Sequence, residues 1–211
     1  MKIRTLLLLL SLFTVPVNCP AQNNDAGALF AQELKEKCRD VKSIECKFVQ
    51  TRSASVLAQD ADKRGEYYFL YPYNVLLAFE DGDYIKITSA MFEIRQNGHV
   101  TATKVSSNPM LKNLNRMLSA CISGDASQIT SGFETEITAN EEEFILKLLP
   151  LRGRTGKKTS ETLLVFNRDN MSLKMMKMTD ASGDYLQYRF YDVRYNTAIS
   201  PSLFDIKNET D

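Results

Sequence analysis

Apolar and polar residues alternate with a period of two through most of this chain, and give way to helical spacing in two places. Between Asp25 and Arg39, Leu29, Phe30, Leu34 and Cys38 fall on one side at helical spacing, which predicts a helix capped by Asp25. From Ser43 onward, Ile44, Cys46, Phe48 and Gln50 alternate with Glu45, Lys47, Val49 and Thr51, the pattern of a half-buried strand. The polar stretch 53–63 reads as a long hairpin loop, and Gly65 opens a second strand, Glu66–Tyr71, closed by Pro72. Strands follow at 75–79 and, after the Asp81-Gly82 turn, at 84–88; two more, at 91–96 and 100–104, flank Asn97-Gly98, the strongest two-residue hairpin signal in the sequence. Asn108-Pro109 then begins a second helix to about Ile122, with Leu111, Leu114, Met117, Leu118 and Cys121 on one face and Gly124 at its end. The last third returns to strands at 133–138, 143–149, 162–167, 173–179 and 185–193, and the tail 199–206 reads as a short docked strand.

About ten short strands in close succession favour an antiparallel meander over parallel crossovers. A sheet of that length curls, either into a closed barrel or into an open half-barrel covered by the two helices. The fold class expected is therefore mainly β with helices, in one domain over residues 22–211.

The first 21 residues have another pattern. Lys2 and Arg4 precede an apolar run from Leu6 to Phe13, Pro16 breaks it, and Cys19-Pro20-Ala21 ends it with small residues. This is the layout of a cleavable secretory signal, cut before Gln22, and the run falls short of the ~20 residues that span a bilayer. A lipidated Cys19 is the alternative, but Pro16, Val17 and Asn18 do not match the small-residue rule before such a cysteine. Lysine plus arginine balance aspartate plus glutamate at 26 each, which argues against nucleic acid and against electrostatic docking on anionic lipid. Cleavage would leave Cys38, Cys46 and Cys121, an odd number that permits at most one internal disulfide; Cys46, inside an alternating run, reads as a small buried hydrophobe.

The residues that carry chemistry are few. The one histidine, His99, follows a turn, and there is no Gly-x-Ser-x-Gly elbow, so no triad or zinc set assembles from the sequence. Glu141-Glu142-Glu143 reads as a solvated turn, and Arg152 to Lys158 as a basic hairpin loop without phosphate-loop spacing. The apolar residues are more informative. Methionine is dense from Met171 to Met178, and Tyr and Phe crowd 67–79 and 185–191. Two readings stand: a filled barrel core, or a sheet face lining a cavity for an apolar ligand.

Val41-Lys42-Ser43-Ile44-Glu45-Cys46-Lys47-Phe48-Val49-Gln50 resembles the strand that follows the signal peptide in the LolA-type outer-membrane lipoprotein carrier family. Gly65 to Pro72, the Asp81-Gly82 turn, the helix near 109–122 and Leu203-Phe204-Asp205-Ile206 are similar to that family's later blocks, in the same order. The resemblance implies an open, curved antiparallel half-barrel with a helical lid over an apolar cavity. It implies a monomeric periplasmic carrier of acylated lipoproteins, loaded by an inner-membrane releasing transporter and unloaded to an outer-membrane acceptor, with no cofactor, no metal and no catalysis. One position departs: Tyr71 stands where family members often have the arginine linked with lid closure and cargo handover. The other function expected of such a half-barrel is a sensor or scaffold module that binds a protein partner or another lipid.

Taken from alternation, the expected cavity face comprises Ile44, Cys46, Phe48, Tyr67, Phe69, Tyr71, Leu77, Phe79, Ile85 and Ile87, with Leu29, Leu111, Leu114 and Leu118 as the lid face.

Overall fold

The computed structural model describes residues 22–55, 61–105, 119–120, 122–151 and 160–206. The signal segment 1–21, the lid leucines Leu111, Leu114 and Leu118, Cys121 and the basic stretch 152–159 lie outside them.

Helix α1 (Gln22–Cys38) leads into β1 (Ser43–Ser53), β2 (Ala61–Leu70), β3 (Asn74–Phe79), β4 (Tyr84–Ile87), β5 (Met91–Gln96) and β6 (His99–Lys104). A short helix α2 (Ala126–Thr130) precedes β7 (Phe133–Ala139), β8 (Glu143–Pro150), β9 (Glu161–Asn167), β10 (Leu173–Thr179) and β11 (Tyr185–Tyr195). All eleven strands form one antiparallel sheet in the order β6-β5-β4-β3-β2-β1-β11-β10-β9-β8-β7. Each half of the chain is a meander, and the two join where β1 pairs with β11. The sheet does not close, because β6 and β7 remain edges, so of the two architectures expected the open half-barrel is the one adopted.

An open sheet has an inner face that it cannot bury by itself. Here that face carries Phe48, Phe69, Val75, Leu77 and Ile87 on one half and Phe144, Leu146, Leu148, Leu164 and Phe166 on the other, nearly all fully buried. Helix α1 lies across it with Phe30, Leu34 and Cys38. Phe30 stands edge-on to Phe144 at 5.4 Å and to Phe166 at 5.2 Å between ring centres. Burying a side chain of that size contributes about 1.5–3 kcal/mol, before the favourable edge-to-face geometry is counted. The helix starts three residues earlier than Asp25, so Asp25 sits in the first turn rather than at the cap, where its charge still complements the helix dipole.

The outer face of the sheet carries ion pairs beside apolar residues such as Leu76, Leu163 and Val165. Arg194 meets Glu45 at 2.7 Å, Lys47 meets Asp192 at 3.1 Å, and Lys147 meets Glu161 at 3.2 Å. The chain end also crosses this face. Asn196 accepts a hydrogen bond from the Lys42 amide at 2.7 Å, and the buried Ser43 hydroxyl donates to the Thr197 carbonyl at 2.6 Å. The tail then forms a 3-10 turn, Pro201–Phe204, against β3, rather than the short strand expected from its sequence. Pro201 has no N–H for a ladder but suits the first turn of a helix.

One glycine is demanded by packing. Gly65 on β2 pairs with Phe48 on β1, and a Cβ there would stand 2.2 Å from the Ala78 carbonyl oxygen and 2.7 Å from Phe48 Cζ. The ring occupies the space that a side chain at 65 would need. Gly65→Ala is therefore expected to destabilise the protein by about 2–3 kcal/mol through overpacking, read as a lower urea midpoint at unchanged slope. An unchanged midpoint would mean that β2 and β3 part without cost.

Candidate functional site

Beneath the C-terminal end of α1 the inner face does not fill completely. An apolar cavity of about 40 Å³ lies there, set in a recess open on one side that totals about 520 Å³ with its solvent-exposed part. Cys38 of α1 and Val41 of the following turn form its roof, Ile44, Cys46 and Tyr67 its floor. Ile122 closes one flank, and Met171, Leu173, Phe190 and Val193 the other. Ser172 and Tyr195 complete the lining and, with Tyr67, bring hydroxyl groups; among the described residues no charged side chain borders the space.

The floor comes from simple alternation. Ile44 and Cys46 project inward from β1, and Tyr67 is the partner of Cys46 on β2. The Tyr67 ring stands edge-on to Phe190 at 5.6 Å. The far wall comes from broken alternation. Tyr188 and Phe190 face inward on β11, so strict period two would turn Val193 and Tyr195 outward. The β1–β11 register shifts between Glu45 and Lys47, where Asp192 and Val193 together oppose Cys46. Asp192 takes φ 55°, and this bulge turns Val193 and Tyr195 to the inside. A second irregularity, between Leu173 and Met175, does the same for Leu173 on β10.

The roof depends on a close approach. Gly124, at φ +78°, packs tightly, since a Cβ there would lie 3.0 Å from Lys35 Cα and 3.1 Å from the Leu34 carbonyl oxygen. The last turns of α1 thus rest on backbone just beyond helical Ile122.

Of the other residues expected at the site, Phe48, Phe69, Leu77 and Ile87 are buried in the core of the same face, and Leu29, Phe79 and Ile85 pack against that core. Tyr71 stands apart. It lies in the turn after β2, 56% exposed, its amide bonded to the Lys42 carbonyl and its ring 4.9 Å from the Lys42 ammonium. His99 is exposed at the start of the edge strand β6. The residues that alternation does not find are Val193, Tyr195 and Leu173, placed by bulges, and Val41 and Ile122, placed by tertiary packing. The methionine-dense stretch points toward Met171 by composition alone.

The electrostatics of the cavity are those of a dry site. Burial pushes the Cys38 thiol up to about 11 and the Cys46 thiol to about 12, so both are protonated at neutral pH. Tyr195 is pushed up to about 12, chiefly by burial and then by the neighbouring Cys38, while a hydrogen bond from Ser172 acts the other way. Among the described residues no group of three or more His, Cys, Asp or Glu side chains is set to hold a metal.

Two outcomes follow. Site-resolved maleimide labelling at pH 8 should find Cys38 and Cys46 at least ~100-fold slower in the native protein than in guanidinium, since two units of pKa alone cut the thiolate that much. Comparable native and denatured rates would show the cavity open to solvent. These acids also hold their protons more tightly when folded than their ordinary value of 9.0, so the folded state binds more protons above pH 9. Unfolding free energy should accordingly be insensitive to them below pH 9 and fall as pH rises toward 11–12.

The chain is similar to several solved structures at low sequence identity. A putative outer membrane lipoprotein-sorting protein domain from Vibrio parahaemolyticus is 12% identical, with TM-score 0.46 over 87% of this chain and 97% of that one. The Mycobacterium tuberculosis lipoprotein LppX is 8% identical, with TM-score 0.40 over 84% and 98%. Pseudomonas aeruginosa MucB, in its complex with MucA, is 14% identical, with TM-score 0.48 over 87% of this chain and 61% of that one. No curated protein is significantly similar to the chain in sequence. Residues 39–207 match the family model of the outer membrane lipoprotein carrier protein LolA, and the chain belongs to that family.

Proposed function

We propose that this protein is a carrier that binds the acyl chains of lipoproteins or lipids on the inner face of its half-barrel and shields them from water as it moves toward the outer membrane. Residues 1–21 then serve as a cleavable signal that exports it to the periplasm. The observation that carries the reading is the uncharged apolar cavity between α1 and the β1–β11 junction. An acyl chain costs about 0.8 kcal/mol for each methylene exposed to water. The walls of this cavity are aliphatic, aromatic and sulfur-bearing side chains that offset that cost.

The cavity as it stands is the closed state of such a carrier. A space of about 40 Å³ is far below the ~300–1,000 Å³ of a typical ligand site. Cargo must therefore lift the cover. The contacts available to yield are those of α1: its cysteine end over the cavity, and Gly124 beneath it. The expected cavity-face residues Ile44, Cys46 and Tyr67 then contact the head-proximal part of the chain. Phe48, Phe69, Leu77, Phe79, Ile85 and Ile87 form the surface along which the rest extends, under a lid that includes Leu29, Leu111, Leu114 and Leu118.

The test is saturable binding of a fluorescent acyl probe to the purified protein, with native mass spectrometry of material isolated from its own periplasm. Co-purifying acylated cargo and a defined stoichiometry are expected. Half-buried Ile44 changed to Asp should weaken the probe by at least ~10-fold, because a carboxylate is then forced into the apolar floor. No saturable probe binding by the wild-type protein and no acylated cargo would sink the carrier reading.

A further inference from the structure

We infer that the end of the molecule at the α1–β1 junction docks on a lipid bilayer with anionic headgroups, and that Tyr71 and Tyr73 are the side chains that enter its interfacial zone. The inference goes beyond the carrier reading and holds or fails whatever the cavity binds.

Three observations converge. The first is a pair of rings in water. Six large hydrophobic side chains stand out as exposed among the described residues, and of these only Tyr71 and Tyr73 lie within two residues of each other, on either side of Pro72. They are 56% and 48% exposed. A tyrosine presents an apolar ring and a hydroxyl that keeps its hydrogen bonds with water. That combination suits the headgroup zone of a bilayer, where one end of the side chain is apolar and the other wet.

The second is local charge. The chain as a whole is neutral, at 26 lysines and arginines against 26 carboxylates, but the balance is not uniform. The stretch 35–42, from the last turns of α1 to the start of β1, holds Lys35, Lys37, Arg39 and Lys42 against Glu36 and Asp40. Four cations against two carboxylates leave an excess of two positive charges, and all six side chains are exposed. Among the described residues only Arg39 of the four makes an ion pair, with Asp40 at 3.4 Å. Each cation in excess strengthens attachment to an anionic lipid surface roughly fivefold.

The third is that rings and charges share one place. The Tyr71 amide donates to the Lys42 carbonyl at 2.8 Å, and the Lys42 ammonium lies 4.9 Å from the centre of the Tyr71 ring. A bilayer that takes up the rings therefore meets the lysines with its phosphates. Two weak signals of different kind are what membrane attachment requires, and attachment of this size stays reversible. The docked face also includes the neighbourhood of Val41, which with Cys38 roofs the cavity, so the cavity's cover is brought against the membrane.

The decisive experiment uses the absence of tryptophan from the chain. Tyr71→Trp places a single fluorescent reporter in the turn, and Tyr191→Trp, at an exposed position on β11, is the control. Protein isolated as for the cargo measurement is mixed with vesicles of phosphatidylcholine and phosphatidylglycerol in equal parts. The Tyr71→Trp emission should shift to the blue and be quenched by lipids brominated near the headgroup end of the acyl chain, and the Tyr191→Trp emission should do neither. Vesicles of phosphatidylcholine alone should bind at least ~10-fold more weakly, through loss of the attraction for two charges. Tyr71→Ser combined with Tyr73→Ser should weaken binding at least ~5-fold at an unchanged urea midpoint. A Tyr71→Trp reporter that stays in water, an equal shift at positions 71 and 191, or full binding by the double serine protein would overturn the inference. A shift produced by native outer-membrane vesicles but not by pure lipid would assign the turn to a protein partner and overturn it as well. No acyl probe is involved, so failure here leaves the carrier reading standing, and absence of cargo leaves this inference standing.

Discussion

The structure depends on one requirement: the inner face of an open eleven-stranded sheet must be covered by something other than the sheet. Closure into a barrel would satisfy it with the sheet's own side chains and leave no room for a guest. Here the two edges stay apart, and the cover is supplied by α1, whose Phe30 wedges between Phe144 and Phe166. A helix is a removable cover in a way that a strand is not, because its backbone hydrogen bonds are internal and survive when it moves away. Leaving the sheet exposes apolar surface but breaks no ladder. The helix can therefore be displaced at the cost of the apolar surface it uncovers.

How the cover is fastened is uneven along its length. Around Phe30 and Leu34 the packing is complete, with both side chains fully buried. At Cys38, also buried, the helix ends over the cavity, with the backbone around Gly124 close against its last turns. Contact of backbone on backbone brings elements close, but it buries little apolar area compared with a phenylalanine between two others.

Most of the fold is legible in the sequence because its signals are local. The Asn97-Gly98 and Asp81-Gly82 turns set hairpins, and period-two runs mark the eleven strands, most close to their observed limits; the first run starts at Ser43, where β1 begins, whereas β2 begins at Ala61, inside the stretch expected as a loop. The resemblance to the carrier family adds the openness of the sheet, which alternation alone leaves undecided between barrel and half-barrel. What is not legible is what breaks the period. Nothing in Tyr191-Asp192-Val193-Arg194 announces a bulge: there is no glycine, and aspartate at φ 55° is tolerated in the left-handed region without being a marker of it. Alternation extended from Tyr188 and Phe190 puts Val193 and Tyr195 on the outside. Tyr71 illustrates the converse, since Tyr67 and Phe69 carry the alternation straight to it, yet the strand ends at Leu70 and Tyr71 turns into solvent. The site is hardest to read where the strands end or slip, because there position along the chain no longer fixes the face.

The bulge also explains why the outer face is charged where the inner face is neutral. Adding one residue to β11 reverses the sides of everything after it. Tyr195 and Val193 turn inward, and Arg194, between them, turns outward onto Glu45 at 2.7 Å. Asp192, at the point of reversal, meets Lys47 at 3.1 Å. Both pairs are exposed, and such pairs add little stability each. Their consequence is positional. With Arg194 held on the outer face by Glu45, the inward set of Val193 and Tyr195 follows from the pleat. If the register slipped back by one residue, the arginine would enter an apolar cavity with no acidic group among its described lining residues. The charge pattern of one face therefore protects the neutrality of the other, and the neutral cavity and the ion-paired surface are two outcomes of the same extra residue.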